Sequence, residues 1–206
     1  MMLPPLILQK GAERRIRAGH LWVYSNEVDV RRTPLTAFVP GQQAQLQAAN
    51  GKPLGTLFVN PHALICGRLI SRDSAQGMTP ALLARRLAQA LALRARLFPK
   101  PYYRLVFGDS DGLPGLVVDR FGDTLVVQIS SAGMEGLRDA LVEALETLLQ
   151  PVCIVFKNDG KMRQVEGLPE YVEAVSGEVP ECVVLEENGV RFEAPLRHGQ
   201  KTGWFF

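Results

Sequence analysis

Gln43-Ala44-Gln45-Leu46-Gln47-Ala48-Ala49-Asn50-Gly51 decides how the first third of this chain folds. Ala44, Leu46 and Ala48 alternate with Gln43, Gln45 and Gln47, and a period of two puts the apolar set on one face of a half-buried strand. Asn50-Gly51 then supplies the dipeptide of a type I′ hairpin turn, in which both central residues take positive φ. Leu54 to Val59 and Ala63 to Ile70 continue as strands. Upstream, Leu6 to Gln9 reads as a short strand and Lys10 to His20 as a short helix stopped by Gly19. Lys10, Arg14 and Arg17, spaced four and three apart, fall on one face of that helix. Leu21-Trp22-Val23-Tyr24 follows at once. Residues 1–73 are therefore expected to form a small β-rich domain with one helix, a closed or nearly closed barrel.

Residues 74–78 read as a short linker. Thr79 as N-cap and Pro80 at the first helical position then open a helix. Its seam is Leu83, Leu87 and Leu91, with Arg85, Arg86, Arg94 and Arg96 expected to point elsewhere. Residues 74–100 are thus expected to be a linker and a connecting helix. Residues 101–198 read as a mixed α+β domain of β-β-α-β-β type. Strands fall at 103–107, 116–119, 124–129 and 152–157, and Leu137, Leu141, Leu145 and Leu148 mark a helix. A hairpin through Glu187-Asn188-Gly189 closes the domain. No βαβ unit and no glycine-rich strand-to-helix turn is read in this half.

The composition, 47% hydrophobic and 21% charged, is that of an ordinary globular protein. No apolar run reaches the roughly 18 residues of a membrane span, and the first residues lack the basic region of a signal peptide. Cys66, Cys153 and Cys182 sit in strand-like apolar contexts without metal-ligand spacing, so buried thiols in a reducing cytoplasm are expected. No metal is expected. Residues 1–100 carry 14 basic and 4 acidic side chains, a net of +10, whereas residues 101–206 carry 9 and 17, a net of −8. A split of this size points the first half at a polyanion. Basic residues beside Trp22 and Tyr24 suit RNA, where phosphate contact combines with base stacking. For Trp22 the sequence leaves core packing open as well.

Two motif matches fail. Gly199-Gln200-Lys201-Thr202 lacks the phosphate-loop glycine before the lysine and carries Pro195 where the first glycine belongs. Asp109, Asp111 and Gly112 suggest a calcium loop, but Pro114 occupies its sharp turn and Arg120 its closing glutamate. His20, His62 and His198 lie in unrelated contexts, and no catalytic triad can be assembled.

The chain's last stretch, Gly199-Gln200-Lys201-Thr202-Gly203-Trp204-Phe205-Phe206, places three large rings at the carboxyl terminus. Such rings need a packed surface over them. The expectation is that the sequence continues into a further domain; the competing reading is that they fold back on the chain itself.

Five segments resemble a family of class I methyltransferases acting on cytosine C5 of large-subunit ribosomal RNA. They are Lys10–Arg15, His20–Ser25, Phe107–Asp119 (FGDSDGLPGLVVD), Glu187–Gly189 and Gly199–Phe205 (GQKTGWF), in the family's order. The resemblance implies an N-terminal PUA domain that binds RNA, a small middle domain, and a Rossmann-like domain binding S-adenosylmethionine beyond residue 206. In that family the GQKTGxF stretch is followed by an Asp-Gln pair, one step past this sequence. The match implies an RNA-binding face at Lys10, Arg14, Arg15, Arg17, His20 and Trp22. It places Lys201, Thr202 and Phe205 of residues 199–206 at the approach to the cofactor. No catalytic role is carried to any residue here, because the family's catalytic cysteines lie in the further domain. The implied partner is ribosomal RNA, a homodimer is left open, and a stand-alone RNA-binding module is the alternative.

Overall fold

A computed structural model of the chain describes residues 3–187 and 189–196. The expected α+β class is found, as two sheet-based bodies and a terminal hairpin. In the first body the strands are β1 (Pro5–Ile7), β2 (Trp22–Tyr24), β3 (Gln42–Gln47), β4 (Pro53–Val59) and β5 (Ile65–Ser71), in the order β1-β3-β4-β5-β2. β1 runs parallel to β3 and the other neighbours are antiparallel. The chain leaving β2 then returns to β1. Leu8 bridges Val28, the Gln9 amide donates to the Glu27 carbonyl at 2.8 Å, and the Asp29 amide donates to Ile7 at 2.8 Å. That return closes the barrel. Ala44, Leu46 and Ala48 face inward, as their alternation requires.

Two local expectations are corrected. The β3–β4 turn is not type I′, because Asn50 does not take positive φ; among the described residues Gln150 is the one non-glycine that does. Instead Gly51 alone is left-handed (φ 82°) in a three-residue loop, with the Ala48 amide on Lys52 O at 2.9 Å and the Gly51 amide on Ala48 O at 2.8 Å. The Asn50 side chain accepts from the Lys52 amide at 3.1 Å, so Asn–Gly serves a longer loop than the dipeptide suggests. The first helix, α1, spans only Glu13–Arg17. Gly11 at φ 93° breaks the chain before it, so Lys10 lies outside the helix. Gly19 ends it at φ 112°: the His20 amide reaches Arg15 O and the Gly19 amide reaches Ile16 O, the paired bonds of a Schellman stop.

Helix α2 (Pro80–Leu97) starts where expected, with the Thr79 hydroxyl accepting from the Leu82 amide at 3.2 Å. It is more than a connector. Leu82, Leu83 and Leu87 lie in one buried cluster with Phe58 and Ile70 of the barrel and the apolar face of the second sheet. Nor do all its arginines point away. Arg86 donates to the carbonyls of Ile70 and Gly112, and Arg94 grips Asp111 through two bonds of 2.6 and 2.8 Å. Both arginines fasten the loop after β6 (Tyr102–Phe107).

The second sheet holds β6, β7 (Leu116–Phe121), β8 (Thr124–Ile129), β9 (Cys153–Asn158) and β10 (Tyr171–Ser176), in the order β10-β9-β8-β7-β6. Three strands precede the main helix α4 (Arg138–Leu149), itself preceded by the single turn α3 (Ala132–Glu135). β8 and β9 pair in parallel across these helices, so a βαβ unit is present where the sequence suggested none. A second single turn, α5 (Met162–Val165), precedes β10. Helices α2 and α4 cover one face. The antiparallel hairpin of β11 (Cys182–Glu187) and β12 (Val190–Pro195) packs on the other, around Phe121, Val126, Val155 and Leu185.

Cys66 and Cys153 are buried, whereas Cys182 is exposed, against the expectation of three buried thiols. It begins the hairpin, whose two faces cannot both be covered by a single sheet. Burial pushes the Cys66 thiol up to about 12. A native thiol titration of the reduced chain with a disulfide reagent is therefore expected to count only Cys182 quickly, and all three cysteines after unfolding. Rapid native reaction at Cys66 would contradict this packing.

Candidate nucleic-acid interface

α1 stands on the barrel by one anchor, Ile16, which is buried in the barrel core. Around it Lys10, Arg14, Arg17 and His20 are all exposed. Arg72, which sequence reading passed over, donates from Nη1 to the Ile16 carbonyl at 2.7 Å. It adds a cation at the end of the same helix. The opposing carboxylate is Glu13, which accepts from the Gly11 amide at 2.9 Å. The result is a ridge with a clear cationic excess.

Arg15 behaves differently from its neighbours. Its Nη1 lies 2.7 Å from Glu27 Oε1, and its guanidinium sits 4.9 Å from the centre of the Tyr24 ring. The Glu27 bond raises the guanidinium pKa further. Glu27 also accepts from the Tyr24 amide at 2.9 Å, so it ties α1 to the chain after β2. Much of Arg15's charge is therefore used within the barrel.

Trp22 is neither core nor free. The residue is 39% exposed, and its Nε1 donates to Asp109 Oδ2 at 2.9 Å, in the loop of the second body. Trp22 pairs across the sheet with Arg68, whose guanidinium lies 5.8 Å from the ring centre. Arg68 in turn lies 3.7 Å from Glu166.

Glu166 is the centre of the seam between the two bodies. It is 3% exposed and accepts from Asn60 Nδ2 at 2.6 Å and from the Ala132 amide at 3.2 Å. Asn60 comes from the barrel, Ala132 from the turn after β8. Beside them the chain at Gly133 lies so close to Phe58 that a β-carbon there would fall 2.2 Å from the ring. Only glycine permits that approach. The barrel face carrying Trp22 is thereby held in one position relative to β6 and its loop.

At the carboxyl ends of β8 and β9 a cleft of about 200 Å³ is lined by Gln128, Ser130, Lys157, Lys161 and Arg163, among others. Parallel strand ends are a usual place for nucleotide cofactors. This cleft does not suit S-adenosylmethionine. It falls below the roughly 300 Å³ at which ligand pockets begin. Lys201, Thr202 and Phe205 lie outside the described residues. Among the described residues no cluster of His, Cys, Asp or Glu could hold a metal ion, and no helix is long and apolar enough to cross a membrane.

Comparison with known proteins adds three findings. Residues 6–72 match the model of a PUA-like domain. Over 204 residues the chain is 36% identical to ribosomal RNA large subunit methyltransferase I of Shigella boydii serotype 18, a match covering 97% of this chain and 51% of that protein. The same-named protein of Cronobacter sakazakii is 37% identical over the same span and shares. The chain spans about half the length of the curated relatives it matches. Among solved structures, a candidate SAM-dependent methyltransferase from Streptococcus mutans superposes with a TM-score of 0.79 at 20% identity, covering 98% of this chain and 51% of that one. A candidate methyltransferase solved with SAH gives 0.77 at 20% identity, covering 94% and 48%. At that identity the structural likeness speaks for the fold alone.

Proposed function

We propose that this chain is the RNA-recognition half of a methyltransferase acting on large-subunit ribosomal RNA in the cytoplasm. One observation carries the reading: the exposed ridge of Lys10, Arg14, Arg17 and His20, next to the exposed ring of Trp22, on a barrel matching a PUA-like domain. Phosphate contacts from the ridge position the RNA without reading its sequence. Residues 1–73 bind the RNA, while residues 74–100 and 101–198 hold the barrel at a fixed angle. Residues 199–206, with Lys201, Thr202 and Phe205, lead toward the cofactor. The reaction we assign is methyl transfer from S-adenosylmethionine to C5 of a cytosine, and the cofactor supplies the electrophilic methyl group when bound. The described residues contribute recognition and orientation, and none is assigned a catalytic role.

Titrating the chain with a structured fragment of large-subunit ribosomal RNA at several salt concentrations tests the proposal. Affinity is expected to fall linearly on a log–log plot as salt rises. Absence of salt-dependent binding would overturn the reading. Calorimetry with S-adenosylmethionine is expected to show no tight binding, because the cleft at β8 and β9 is small. Micromolar binding by this chain would place the cofactor site within these 206 residues and refute that expectation.

A further inference from the structure

The ridge does not end at Trp22. Phe107, the last residue of β6, is 55% exposed, and it stands two residues before Asp109, the carboxylate that holds the Trp22 indole. A single exposed apolar side chain is ordinary. Here two large rings from different bodies are left partly in water, one bonded to Asp109 and the other two residues before it in the chain. Each is also attended by an arginine: Arg68 lies 5.8 Å from the Trp22 ring centre, and Arg104 lies 5.5 Å from that of Phe107. Those guanidinium groups are themselves held by buried carboxylates, Arg104 on Asp119 at 2.8 Å and Arg68 near Glu166. The rings are therefore backed by fixed cations and keep an exposed side.

Resting on the RNA reading above, we infer that Trp22 and Phe107 together form a stacking surface for unpaired RNA bases. The surface begins in the barrel and is completed by the second body. Its occupant is a single-stranded RNA segment running off the ridge, since His20, the last exposed residue of the ridge, is only two positions from Trp22. Every base offers a flat face, so stacking on such rings is tolerant of sequence. Asp109 is a positioning residue: it fixes the indole through Nε1 and needs no contact with RNA. The acidic second half thus takes part in binding through an aromatic ring, where its net charge of −8 would suggest exclusion.

The test uses the whole chain with Trp204→Phe, which leaves Trp22 as its sole tryptophan. Adding an unstructured RNA of about ten nucleotides should quench Trp22 emission. Phe107→Ala should weaken binding about tenfold while leaving the salt slope unchanged, because stacking releases no counterions. Asp109→Ala should weaken binding and broaden the Trp22 emission response, and Asp109→Asn, which keeps an acceptor, should restore both. Circular dichroism checks that each variant is folded. If Phe107→Ala binds normally while Arg14→Ala/Arg17→Ala does not, this inference falls and the RNA reading stands. If the parent chain binds no RNA, both fall. If Phe107→Ala instead turns a sedimenting dimer into a monomer, the rings cover a second copy and the inference is wrong.

Discussion

Glu166→Ala is expected to lower unfolding free energy by about 3–5 kcal/mol, the usual loss when one partner of a buried charged pair is removed. The carboxylate is 3% exposed, accepts from two donors, Asn60 Nδ2 and the Ala132 amide, and lies 3.7 Å from Arg68 Nε as an ion pair without a hydrogen bond. Alanine takes the hydrogen bond from the Ala132 amide and the opposite charge from Arg68, and leaves Asn60 Nδ2 with the backbone carbonyl of residue 166 at 3.2 Å. It also cuts one of the polar ties between barrel and second sheet, so urea unfolding should lose cooperativity and move toward two transitions. Glu166→Gln keeps an oxygen for Asn60 and should lose less, because only the charge opposite Arg68 goes. A second consequence follows through Arg68. Without Glu166 that guanidinium is no longer held behind Trp22, so RNA affinity should fall in step with the seam. A loss under about 1 kcal/mol for Glu166→Ala, the scale of an exposed pair, would mean that the seam is held by its other contacts, the apolar packing around Phe58 and Gly133 and the bonds of Trp22 and Arg86.

Arg14→Ala together with Arg17→Ala is expected to weaken RNA binding roughly 25- to 60-fold at about 0.1 M salt, the loss of two phosphate contacts at 0.7–0.9 in slope each. The salt slope itself should flatten by about 1.4–1.8. Both side chains are exposed and neither takes part in the hydrogen bonds that hold α1, which rests on Ile16. Stability should therefore change little, within about 0.5 kcal/mol. Arg15→Ala makes the contrast. It removes the Glu27 pair and the packing on Tyr24, so it should disturb the barrel more and the salt slope less. Equal slopes for the parent chain and the double variant would show that the ridge does not meet phosphate.

What the sequence by itself determined is local. The alternation of Ala44, Leu46 and Ala48 named the buried face of β3, and Thr79-Pro80 named the start of α2. The charge split singled out the half that carries the ridge. Each signal is written within a few residues, through side-chain period, capping or composition, and needs no knowledge of what lies across the fold. Lys10 outside its helix and Asn50 at negative φ show the limit of even these signals, since a glycine's φ or one extra loop residue redirects the backbone. Only the tertiary structure decided the partners. Trp22 meets Asp109 across 87 positions and Asn60 meets Glu166 across 106. The parallel pairing of β8 with β9, and the turn of Arg86 and Arg94 inward from α2, are of the same kind. A charge or an aromatic ring reads alike in sequence whether it faces water, an ion pair or a neighbouring sheet. Which of these it meets depends on chain segments brought together by burying apolar faces that the residue itself does not carry.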